Sequence, residues 1–185
     1  MSEKHQPSTQ PDATEGAQDQ PEALIAALVE IERHVGQSGW DQPARLFALV
    51  RTADLVAAEP HLADQLTVTS EDALSSIEQE DFRDGEDLMT TLAQIGWSES
   101  VHGCALALER TFLPAGLEDQ IPANPDEAAR FVAKHPQRQD VRVVVGSLRD
   151  GSSHGLARLV SEPDELLGGT QLVPALASAL ARTLA

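Results

Sequence analysis

Four side chains around one short turn have the chemistry to grip an anion: Ser147, Arg149, His154 and Arg158, within HPQRQDVRVVVGSLRDGSSHGLARL, residues 135–159. A guanidinium offers a planar fork of N–H donors that matches a carboxylate or phosphate, and a hydroxyl or imidazole adds a donor or acceptor beside it. These four are the candidate ligand-binding residues. The competing reading is a hairpin tip whose polar groups simply face water.

Other candidates carry less. His102 and Cys104 stand two apart, on one face of a strand, but a zinc site needs three or four ligands and there is no second cysteine. Cys104 is expected to be a small core residue, with no metal held. LLGGTQLVP (166–174) has two glycines ahead of a helix but lacks the Lys-Ser/Thr of a phosphate loop and the three glycines of a dinucleotide fingerprint. Eleven carboxylates lie between Asp54 and Asp87 with Arg83 as the one cation among them, yet without the alternating ligands, glycine and closing glutamate of a calcium loop. They read as a solvated face, with a basic protein partner as the alternative. No catalytic residue is assigned, and no cofactor is expected.

The overall balance narrows the field. Formal net charge is −17, which opposes nucleic acid and anionic lipid alike, since both need a positive face. One cysteine excludes an intrachain disulfide, and no apolar run approaches the ~20 residues of a membrane helix. From the polar, acidic start no signal peptide is expected. The expectation is a cytoplasmic protein. Aromatics are 3% of the chain with no tyrosine, so the core must be aliphatic.

Residues 1–20 contain no Leu, Ile, Val or Phe and are expected to be a disordered tail, with a single domain over 21–185. Leu24, Leu28, Ile31 and Val35 recur at helical spacing before Gly36. A strand is expected at 44–51, then a short helix capped by Thr52, although 44–58 also fits one helix. Residues 61–85 are weakly patterned. Helices follow at 86–95, 124–135 and 172–184, and a strand at 101–113. The second helix has the fullest signals: Asn124 as cap, Pro125 first, Lys134 in the last turn and Pro136 beyond. The fold class is α+β, one mixed or antiparallel sheet with a β-hairpin in the C-terminal half and helices packed on it.

Asp150-Gly151 marks the hairpin turn between strands at 141–149 and 154–160. With two or four connecting residues, Val144, Gly146, Leu148, Gly155, Ala157 and Leu159 share one face, with Arg142 at its end. Val141, Val143, Val145, Leu156, Val160 and Arg158 share the other, with Ser147, Arg149 and His154 toward the turn. Arg158 is then expected to have a carboxylate within reach, supplied by the acidic 54–87 region folding over the sheet.

Four segments, GWDQPARLFALVRTADLVAAEP, GWSESVHGCALALER, HPQRQDVRVVVGSLRDG and LVPALASALARTL, together resemble a small uncharacterised family of acidic actinobacterial proteins over residues 22–184. Where that family has a Trp-Pro step, this chain has Trp97-Ser98, a departure in a loop. The resemblance implies one cytosolic domain and brings no activity, cofactor or catalytic residue. Two functions stay open. One is a non-enzymatic interaction or binding module with a protein partner. The other is a small-ligand or anion binder, or an enzyme, using the polar end of the 141–160 hairpin with Arg110 near it.

Overall fold

The computed structural model describes residues 19–185. The expected tail lies outside the described residues up to position 18; Asp19 and Gln20 are already helical. The helices are α1 (Asp19–Gly36), α2 (Thr52–Ala58), α3 (Leu88–Leu92), α4 (Pro125–Lys134) and α5 (Pro174–Thr183). The strands are β1 (Arg45–Arg51), β2 (Leu74–Glu78), β3 (Gly103–Phe112), β4 (Gln139–Leu148), β5 (Ser153–Leu159) and β6 (Leu167–Gly169). They form one sheet in the order β2-β1-β3-β4-β5-β6, and every neighbouring pair is antiparallel. The fold is α+β.

The sheet is covered on both faces. Alternation along β3 decides which side chain goes where. Cys104, Leu106 and Leu108 pack under α5 and α3 with Val143, Val145, Leu92, Leu176 and Leu180. Ala105 and Ala107 face α1 and its buried Leu24, Leu28, Ile31 and Val35. Small residues beneath α1 let the helix lie close: a Cβ on Gly146 would stand 2.8 Å from Leu28 Cδ2. The aliphatic composition thus fills two thin cores, one on each side of the central strands.

The β4–β5 hairpin differs from the expectation in one respect, and it matters. Ser147 pairs with Ser153, and Leu148 N–H donates to Ser152 O at 2.9 Å. The connection is therefore the three residues Arg149, Asp150 and Gly151, with Gly151 at φ 92° in the left-handed region. A turn ending in a left-handed glycine is the usual three-residue solution. An odd loop reverses the face of every residue in β5 relative to a loop of two or four. Leu156, Arg158 and His154 consequently face α1 with Val144, Arg142 and Gly146, whereas Gly155 and Ala157 face α5 with Val145 and Val143.

Smaller differences have local causes. Thr52 is the first residue of α2 and not its cap; its hydroxyl meets Ser75 Oγ at 2.8 Å. The helix expected over 86–95 is only α3, because Asp87 caps it by accepting from Met89 and Thr90 N–H. The acidic region is not structureless: β2 lies within it, an edge strand whose Ser75 and Ser76 gave no apolar alternation. The other edge, β6, is three residues long with two glycines.

Candidate functional site

The four candidate residues do not converge. Ser147 is buried on the α5 side and donates to Ala177 O at 2.8 Å. Arg149 turns back over the sheet end, where its Nε donates to Val101 O at 2.7 Å, one Nη to Ser98 O at 3.0 Å and the other to Leu184 O. It ties the C-terminal end of α5 to the loop before β3. His154 stands across from Gly146 on the α1 side, where burial lowers its pKa below the usual imidazole value. Arg158 lies at the far end of β5 and bonds Glu32 of α1. Arg158 has its carboxylate, but from α1 and not from residues 54–87: the odd turn carries it to the opposite face.

Glu32 belongs to a buried ionic cluster. Its side chain is 6% exposed and that of Arg142 is 3% exposed. Arg142 Nη1 is 3.9 Å from Glu32 Oε1, its Nη2 is 3.2 Å from Glu109 Oε1, and its guanidinium lies 4.4 Å over the ring of Trp40. Glu109 also accepts from Gln42 N–H at 3.1 Å. Two arginines and two glutamates sum to zero, the condition for burying charge. Trp97 pairs similarly with α5, its Nε1 donating to Thr183 Oγ1 at 3.0 Å. Both Gly-Trp steps therefore pin polar groups inside the fold.

His102 and Cys104 are also separated. Cys104 is sealed under α5, its sulfur 3.6 Å from Leu180 O, and burial pushes its thiol pKa up to about 11. His102 precedes β3 and points Nε2 toward Asp54, 3.9 Å away, while its Nδ1 is buried without a hydrogen-bond partner. It lines a cleft of 170 Å³ with Arg51, Asp72, Leu148, Arg149 and Asp150, which brings charges of both signs together. Among the described residues no three His, Cys, Asp or Glu side chains are placed to share a metal ion. None of the described helices is long and apolar enough to cross a membrane.

One further open surface runs along α4. Its ends form as expected: Asn124 Oδ1 accepts from Asp126 and Glu127 N–H at 2.9 and 3.2 Å, and Pro125 opens the first turn. Its sequence is strongly amphipathic, yet none of its ten residues is buried. The Phe131 and His135 rings lie against each other at a tilt of 54°, with centroids 5.5 Å apart. Together with Pro122, Arg130, Lys134 and Pro136 these rings line an open groove of 430 Å³. Helical spacing showed the two-sided character of this segment, but not that its apolar side, Ala128, Phe131 and Val132, would be only half-buried.

The model of the PPA1309-like protein family matches residues 24–185. The chain belongs to that family. The match runs from the first core leucine of α1 to the last residue, so a PPA1309-like domain is the whole three-layer unit, with the ionic cluster and α4 both inside it. No curated protein and no solved structure matches the chain.

Proposed function

We propose that this PPA1309-like protein is a cytoplasmic, non-enzymatic interaction module that docks a protein partner on α4. One observation carries the reading: an amphipathic helix of ten residues without a buried side chain, beside an open groove. A helix of that pattern ordinarily gains its stability by burying its apolar stripe. The polar hairpin end speaks less for a ligand, since Arg149, Arg158 and Ser147 already bond to groups of the protein itself. Net charge of −17 sets nucleic acid and anionic membranes aside as partners. The free, buried thiol of Cys104 suits a reducing cytoplasm, and an actinobacterial source fits the resemblance of its sequence segments.

The test is quantitative capture from native lysate with the full chain and its Phe131→Asp variant as paired baits. A protein retained by the first and lost by the second is the expected result. Identical captured sets would overturn the reading.

A further inference from the structure

The groove on α4 carries two cations on an otherwise acidic molecule. The chain has 30 acidic and 13 basic residues, and most of the inner arginines are already matched. Arg45 pairs with Glu78, Arg142 with Glu109, Arg158 with Glu32, and Arg149 donates to carbonyls. Arg130 and Lys134 are exposed and enter no ion pair among the described residues. They stand four residues apart, on the flank of the helix that carries Phe131, with Glu127 the one carboxylate in the groove lining. Arg138 adds a further cation at the C-terminal end, donating to Ala133 O. The floor between them is apolar: Phe131, the His135 ring and two prolines.

We infer that the occupant of this groove is an acidic segment of another protein bearing a bulky apolar side chain. The inference rests on the reading of α4 as the docking surface and adds the partner's chemistry. The apolar anchor would cover Phe131, and flanking carboxylates would meet Arg130 and Lys134. The net negative charge of the molecule opposes an acidic partner in general, and the two cations beside Phe131 offset that opposition along α4. A second copy of this chain brings −17 against −17 and is disfavoured in the same way.

Short peptides of random sequence, displayed and selected on the full chain, test this directly. Binders are then measured against wild type, Phe131→Ala, and the double variant Arg130→Glu, Lys134→Glu. Arg130 and Lys134 are exposed and Phe131 is half-buried, and unchanged thermal melting verifies the fold. The expected binders are rich in Asp and Glu around Trp, Phe or Leu. The double variant should weaken them by roughly tenfold or more, and rising ionic strength should weaken binding to wild type. Basic or neutral binders lost on Phe131→Ala would overturn the partner chemistry while leaving α4 as a docking surface. Binders indifferent to all three substitutions would overturn both. Sedimentation that shows self-association abolished by the double variant would assign the groove to a second copy instead.

Discussion

Arg158 on β5 grips Glu32 on α1 with both prongs of its guanidinium, Nε to Oε1 at 2.6 Å and Nη2 to Oε2 at 2.9 Å. Directly across the ladder from Arg158 is Arg142. Like charges in that relation repel; Glu32 reaches both and, together with Glu109 at Arg142, balances the pair. Glu32→Gln keeps the shape and removes that charge. It should cost about 3–5 kcal/mol, the usual effect of stranding a buried ion. Melting should then fall by roughly 10 °C. Arg158→Met should cost less, about 1–3 kcal/mol, because its guanidinium is partly solvated. Urea unfolding measures both, and a neutral Glu32→Gln would show that the cluster does not hold α1.

At β1 and β2, Arg45 Nε donates to Glu78 Oε1 at 2.6 Å and its Nη2 to Oε2 at 2.7 Å. The hydrogen bond from Arg45, with its charge, holds the Glu78 carboxyl below its ordinary pKa. A depressed folded-state value contributes stability above the unfolded carboxylate pKa and loses it as pH falls through the folded one. The difference in urea midpoint between wild type and Arg45→Met should stay level from neutral pH down to the ordinary glutamate range, then shrink in stronger acid. A difference that persists unchanged to full protonation would mean that packing alone accounts for Arg45.

The Cys104 thiol should be inert in the native protein. Its pKa near 11 and its cover by α5 leave no accessible thiolate at mildly alkaline pH. Ellman's reagent should label it only at the rate at which the protein unfolds. Rapid labelling of native protein would place α5 in a frequently open state.

Arg149→Met tests whether the turn arginine is structural. Losing the guanidinium leaves carbonyls of Val101, Ser98 and Leu184 without that donor. The expected cost is about 1–3 kcal/mol, with faster amide exchange in the last turn of α5. Unchanged stability and exchange would free Arg149 for a ligand in the cleft beside His102.

Elements whose signals are local were legible in the chain. Asn124, Pro125 and Lys134 sit within one helix length of each other, and α4 forms where they put it. The interior stripe of α1 was equally plain. Glu32 was not, because among Glu30, Glu32 and Arg33 it reads as one more solvated charge, and its partner lies 126 positions away. β2 was hidden because an edge strand covered by little need not alternate. For the candidate site, the residue types around the turn were visible, but their grouping depended on loop parity. Asp150-Gly151 suits two- and three-residue turns alike.

The three-residue turn at Arg149–Gly151 also limits how this domain can vary in length. Adding or removing two residues there leaves β5 with the same side toward α1. Adding or removing one rotates the strand by half a turn about its axis. Gly155 and Ala157 would then lie beneath α1, Leu156 would crowd α5, and Arg158 would emerge on the side away from Glu32, leaving Arg142 and Glu32 to a contact of 3.9 Å. Insertions tolerated at this corner should therefore come in even numbers, a counting rule imposed by an ion pair at the opposite end of the strand.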